Sequence, residues 1–223
     1  LDNSTPMLQV AHEGGLLSAP FARTSIALAP GERAEVLVDF SAVAIGQEVR
    51  LYAATAATAV GGIGFGMGMG PALAASEVTA MKFRVSFPRQ ANAMAAPPAS
   101  LPAAPAVVAA AGATMRSFNL DGAMMGSPFT INAKAFDINR IDFAVPANTI
   151  EVWMFFNMTG MAHPMHVHGV RMSLLSRDGA APALFERGLR DTFIVESMQT
   201  VDVAVQTPSA ASASWSARMS ENG

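Results

Sequence analysis

Three of the four histidines in this 223-residue chain fall within six positions, in His163-Pro164-Met165-His166-Val167-His168-Gly169. Imidazole is the commonest metal ligand among side chains, so the cluster is a candidate metal site. A lone histidine is usually a hydrogen-bonded core or surface residue. Three at i, i+3 and i+5 in a histidine-poor chain are harder to explain that way, and they do not form the contiguous terminal run of a purification tag. If the segment is extended, side chains alternate faces. His166 and His168 then share one face, with backbones roughly 6–7 Å apart at about 3.3 Å per residue, and His163 points to the other. One short segment would serve two metal centres.

The elements that position the cluster can be read around it. The run from Thr149 to Met158 is β-branched and aromatic, with no helix-start signal, and reads as a strand. Pro164 fixes its own φ and pushes His163 out of the helical region, which favours extension. Other predicted strands are Arg116–Leu120, Phe129–Ile131, Ile141–Val145, Val170–Leu175, Thr192–Val195 and Thr200–Val205. Upstream, Ala34–Phe40, Glu48–Ala53 and the alternating, half-buried pattern of Met81–Phe87 read the same way. Many short strands separated by turn signals predict an all-β sandwich, antiparallel over residues 114–205. Gly61–Gly70 is a glycine-rich loop and not a phosphate cradle, since no Lys-Ser/Thr follows it. Gln90–Ala113 is Ala/Pro-rich and reads as a linker.

His-Pro-Met-His-Val-His-Gly resembles the His-Pro-x-His-x-His-Gly motif in the last cupredoxin domain of multicopper oxidases, a family that includes laccases, cuprous oxidases and copper-resistance oxidases. Gly188-Leu189-Arg190-Asp191-Thr192 resembles that family's Gly-Trp-Lys-Asp-Thr segment. The stretch Leu28 to Phe40, with Pro30-Gly31-Glu32-Arg33 in it, resembles a stretch of the family's middle domain. The resemblance implies cupredoxin-like Greek-key β-sandwiches, one partial and one nearly complete. Residues 1–87 would be the end of a middle domain, 88–113 a linker and 114–223 the last domain, truncated before its cysteine motif. It also implies copper as cofactor: type 1 copper through His163, type 2 through His166 and type 3 through His168. The implied partners are dioxygen and a small-molecule or metal-ion reductant, and the implied location is periplasmic or extracellular.

The absences are informative too. There is no cysteine, and a blue copper site needs a thiolate beside two imidazoles. The family's His-Cys-His motif and its first-domain His-x-His pairs are missing. The chain is therefore expected to be a piece of a longer oxidase, the rest of which completes the copper sites, and to have neither blue colour nor oxidase activity alone. The alternative is a non-catalytic cupredoxin-like scaffold, as in some cell-division relatives, though such relatives usually lose the histidines. A cupin-like site would need a carboxylate soon after the histidines, and none follows His168 until Asp178.

Composition narrows the partners. Fourteen basic against seventeen acidic residues leave a net charge of −3, which argues against a nucleic-acid partner. No uninterrupted apolar run is long enough for a membrane span. Of fifteen methionines, Met67, Met69, Met115, Met124, Met125, Met158, Met161 and Met165 could offer thioether sulfur to cuprous copper. Gap-filling in the core is the expectation for most. Met161 matches a methionine of the cuprous-oxidase branch, but Thr159 stands where that branch has a carboxylate. Asp191 either bonds a strand end or orients a ligand imidazole.

Overall fold

A computed structural model describes residues 1–54, 77–88, 97–122 and 128–208. The glycine-rich loop, with Met67 and Met69, and the pair Met124 and Met125 lie outside the described residues. Among those described, the one helical segment is a 3-10 turn at Leu184–Glu186, and the rest is strand and loop. The all-β expectation holds.

Strands β1 (Met7–His12), β2 (Gly15–Arg23) and β3 (Ala34–Leu37) form an antiparallel sheet ordered β2-β1-β3. Sequence reading missed the first two, which are joined by the Glu13-Gly14 turn. Strands β4 (Glu48–Ala54) and β5 (Glu77–Arg84) form an antiparallel ribbon. The predicted half-burial of Met81–Phe87 is not realised. Met81 is 52% and Phe87 80% exposed, because the ribbon leaves that face uncovered apart from Phe83 against Phe40, ring centroids 5.0 Å apart.

The remaining strands are β6 (Met115–Asp121), β7 (Thr130–Ile131), β8 (Ile150–Asn157), β9 (His163–His166), β10 (Arg171–Arg177), β11 (Thr192–Val195) and β12 (Thr200–Gln206). Five of them form a sheet ordered β10-β12-β8-β6-β7, and β9 pairs antiparallel with β11. The large sheet is mixed rather than purely antiparallel, since β6 runs parallel to β8. Predicted strand Ile141–Val145 is not a strand. Its alternation comes from Phe143 and Val145 packing on the core, while the carboxylate of Asp142, just before them, takes Arg140 and Lys134. No ladder partner is needed for that pattern.

Strand β8 buries every second residue: Glu151, Trp153, Phe155 and Asn157. Its apolar members meet Phe118, Leu120, Met172, Leu174, Val201, Val203 and Val205 of the large sheet, and Met165, Phe193 and Val195 of the small one, in a single core. Burying such side chains is worth about 1.5–3 kcal/mol each. Glu151 is tolerated inside because Arg116 Nε (2.6 Å) and Trp153 Nε1 (2.8 Å) donate to it. Methionine gap-filling holds for Met165 and Met172, whereas Met115, Met158 and Met161 are exposed.

The described part of the Ala/Pro-rich stretch lies along both strand groups. Leu101 N donates to Ser18 O and Val107 N to Ser173 Oγ. Val107 is buried against Leu189 and Ala204. The β1–β2 turn also docks on the 185–192 stretch. Gly14 N donates to Leu189 O at 3.1 Å, and a Cβ on Gly14 would lie 2.4 Å from Leu189 carbonyl atoms. Only glycine permits that backbone approach.

Candidate metal centre

The register of β9 against β11 sorts the histidines. Thr192 lies opposite His166, Phe193 opposite Met165, Ile194 opposite Pro164 and Val195 opposite His163. Met165, Phe193 and Val195 face the core. His163 shares their face by strand alternation, and His166 takes the other with Thr192. The strand ends at His166. His168 sits in the following turn, where Gly169 has φ +70°. That turn, rather than continued extension, sets the His168 ring beside that of His166, with centroids 4.4 Å apart.

His163 is half-buried against the edge of Phe129, centroids 4.8 Å apart. Its Nε2 lies 2.7 Å from Thr159 Oγ1. The threonine has one hydroxyl hydrogen, and Asn157 Oδ1 (2.8 Å) and Met161 O (3.0 Å) both compete for it. Given to either, the hydroxyl can only accept from the ring. Nε2 then carries the hydrogen and Nδ1 the lone pair. Burial lowers the His163 pKa, which favours the neutral, metal-binding form.

His166 is fixed more tightly. Its Nδ1 lies 2.8 Å from Thr192 Oγ1 and 3.1 Å from Asp191 O. A carbonyl only accepts, and the Thr192 hydroxyl already donates to Asp191 Oδ1 at 2.7 Å. Nδ1 must therefore donate, leaving a lone pair on Nε2. Metal-ligating histidines characteristically use one ring nitrogen this way to free the other. The donor set, three imidazoles with two of the rings adjacent, suits copper. It is incomplete: among the described residues no three His, Cys, Asp or Glu side chains converge to hold one ion.

Residues that sequence reading did not single out hold this arrangement. Arg33 binds Asp191 through two parallel hydrogen bonds, Nη1 to Oδ1 at 3.1 Å and Nη2 to Oδ2 at 2.7 Å. Burial pushes the Asp191 carboxyl pKa up, but hydrogen bonds from Arg33 and Thr192 outweigh it and hold it below the usual range. Glu13 Oε1 accepts Thr192 N–H at 3.2 Å. Burial raises the Glu13 pKa, and its Oε2 is buried without a hydrogen-bond partner. The two family-like segments thus pair directly, Arg33 with Asp191 and Glu32 with Arg190, across 158 positions. Both segments were visible in the sequence, but nothing in either specified its partner.

His12 is buried in the same interface, beside a cavity of about 140 Å³ lined by Gln9, Glu32, Arg177 and Arg190 among others. Its Nε2 lies 2.6 Å from Phe185 O and 2.9 Å from Arg190 Nη2. Burial, then the Arg190 charge, lowers its pKa to about 4, against the Phe185 carbonyl and Glu186, which raise it. Between the ordinary imidazole pKa and about 4, the unfolded chain binds a proton that folded His12 refuses. Stability therefore falls as pH drops through that window, by about 3 kcal/mol when complete. Urea midpoints at about pH 7 and 4.5 should show a smaller acid loss in His12→Gln than in the wild type. Equal losses would contradict this role.

Residues 109–217 match the family model described as multicopper oxidase. The chain is 39% identical over 94 residues to multicopper oxidase mco of Staphylococcus aureus, covering 40% of this chain and 21% of that protein. It is 28% identical over 209 residues to cell division protein FtsP of Escherichia coli, covering 94% and 42%. The solved structure of a laccase-like multicopper oxidase, CueO, from Ochrobactrum sp. matches with a TM-score of 0.72 and 27% identity, over 92% of this chain and 44% of that one. The chain thus spans well under half the length of these proteins. No helix among the described residues is long and apolar enough to cross a membrane.

Proposed function

We propose that this chain, which matches the multicopper oxidase family model over residues 109–217, supplies part of the copper machinery of an oxidase coupling one-electron oxidation of a substrate to reduction of dioxygen to water. The observation that carries this is the pairing of the His166 and His168 rings, with His163 turned to the opposite face. Residues 1–87 are the end of a middle domain, 88–113 the connection and 114–223 the last domain. His163 serves type 1 copper, His166 type 2 and His168 type 3, with the remaining ligands supplied by the rest of the parent protein. Bound copper supplies one-electron redox chemistry and dioxygen reduction. The chain's own part is to present neutral imidazole nitrogens in fixed orientations and to keep the two faces apart by the width of one strand. The reductant is a phenol, an amine or a metal ion, and the family points to an extracytoplasmic location.

The similarity to FtsP supports a second reading, a non-catalytic scaffold. The imidazole geometry favours the first, because a scaffold gains nothing from a hydroxyl and a carbonyl that free a ring nitrogen. Titration calorimetry of this chain with Cu(II) separates them. Modest binding that weakens below the ordinary imidazole pKa is expected, lost in the His166→Ala, His168→Ala double variant. No intense blue band should appear, since there is no thiolate. Copper binding that survives the double variant unchanged would remove the support for this reading.

A further inference from the structure

We propose that Arg33 is a positioning residue for the metal-ligand face: through Asp191 and Thr192 it holds His166 in the form with hydrogen on Nδ1 and the lone pair on Nε2. The metal significance of this rests on the reading of His166 as a copper ligand, but the arrangement itself does not.

The relay is continuous. Arg33 donates twice to the Asp191 carboxylate. Thr192 Oγ1 donates to Asp191 Oδ1 at 2.7 Å. His166 Nδ1 donates to Thr192 Oγ1 at 2.8 Å and to Asp191 O at 3.1 Å. The charge on Asp191 makes it the stronger claimant on the Thr192 hydrogen, and this orients the hydroxyl lone pair toward the imidazole. The two-pronged guanidinium contact fixes the plane of the carboxylate, which a point charge would not do. Arg33 Nη1 also donates to Gly31 O at 2.8 Å, so one prong of the fork is tied back to its own turn. Gly31, with φ +89°, brings its α-carbon against the Thr192 side chain, and a Cβ there would lie 3.4 Å from Thr192 Cγ2. The turn Pro30-Gly31-Glu32-Arg33 therefore bonds the carboxylate of the relay and passes beside the Thr192 side chain. Glu13 closes it from the other side by accepting Thr192 N–H.

As a contribution to stability the Arg33–Asp191 pair is modest, because Arg33 is more than half exposed and screened by solvent. Its geometry nevertheless bears on which ring nitrogen of His166 carries the hydrogen. Without the carboxylate held in place, Thr192 is free to turn its hydrogen toward the imidazole, and Nδ1 is then drawn to accept from the hydroxyl, with only the longer contact to the Asp191 carbonyl still favouring hydrogen on it. The upstream segment thereby reaches the ligand face without supplying a ligand.

The test reads the tautomer directly, on this chain and without metal. The ¹⁵N shifts of the His166 ring, measured at about pH 8.5 where imidazole is ordinarily neutral, should show hydrogen on Nδ1 in the wild type. In Arg33→Met the hydrogen should redistribute toward Nε2. Arg33→Lys keeps the charge but not the fork and should fall between. Lys134→Met, which breaks the comparably exposed Lys134–Asp142 pair elsewhere, should leave the His166 shifts unchanged and controls for general loosening. Separately, Cu(II) affinity in Arg33→Met should drop roughly tenfold, at the low end of what outer-shell partners give. A wild-type His166 with hydrogen on Nε2, or an Arg33→Met spectrum identical to wild type, would overturn the proposal. A shifted tautomer with unchanged copper affinity would leave the relay standing and defeat only the ligand reading.

Discussion

Asn157→Ala is expected to lose about 3–4 kcal/mol of folding free energy. The side chain is fully buried. Its Nδ2 donates to Met161 O (2.7 Å), Glu196 O (2.9 Å) and Val195 O (3.1 Å), and its Oδ1 accepts from Thr159 N and Thr159 Oγ1. One amide thus ties the loop before His163 to the loop after β11. Three carbonyls cannot each take a hydrogen of their own from two N–H bonds, so two of them share one. Removing the amide strands buried acceptors on both loops and frees the Thr159 hydroxyl that holds His163 Nε2. Asn157→Asp should be worse than Ala at neutral pH, because a buried charge would then face three carbonyls. Chemical denaturation gives the stability change. The His163 ring signals should broaden or move in the alanine variant, while those of His166, held by Thr192 and Asp191, stay in place. A loss below about 1 kcal/mol would show that the loops hold themselves.

Asn157 also marks where sequence reading stops. Strand β8 was legible because apolar and aromatic residues alternate along it, and the opposite-face arrangement of His163 and His166 followed from period-two geometry alone. The last residue of the inward face is an amide, and nothing in local pattern says that it ties the loop beside it to a carbonyl 38 residues away. The same limit applies to His12. It stood outside any motif, yet it is buried on Phe185 O and Arg190 because a tight turn at Glu13 and Gly14 docks on the 185–192 stretch. β1 and β2 were missed because their sequence lacks clean alternation, and β1 carries a bulge between Gln9 and Ala11 that shifts the phase. Ile141–Val145 was misread for the converse reason: alternation records which side chains are covered, and a loop pressed on a core can alternate without a ladder. His168 was assigned to the right neighbour by an extension that the chain does not continue, since a turn delivers the ring instead.

Arg190→Met should cost about 3–5 kcal/mol, the range expected when one member of a buried ion pair is removed. Arg190 and Glu32 are each about nine-tenths buried, with Nη1 3.1 Å from Oε1. Burial lowers the Arg190 pKa, opposed by Glu32, Glu13 and Glu186, and the guanidinium remains charged throughout the ordinary pH range. Without the guanidinium, Glu32 keeps only the Ala29 N–H at 2.8 Å on its other oxygen. Replacing both members, in Glu32→Gln with Arg190→Met, should recover at least about 1 kcal/mol relative to Arg190→Met alone, because the cost lies in the stranded charge rather than in losing the attraction. The pH profile provides an independent check. Arg190 is the second cause of the low His12 pKa, after burial. Removing its charge should raise the folded pKa of His12 toward its unfolded value, narrowing the window over which acid destabilises the fold. Arg190→Met should therefore be less stable than wild type at neutral pH but lose less on acidification through the His12 window. Parallel stability curves for the two proteins between about pH 7 and 4.5 would show that the guanidinium and the imidazole are not coupled.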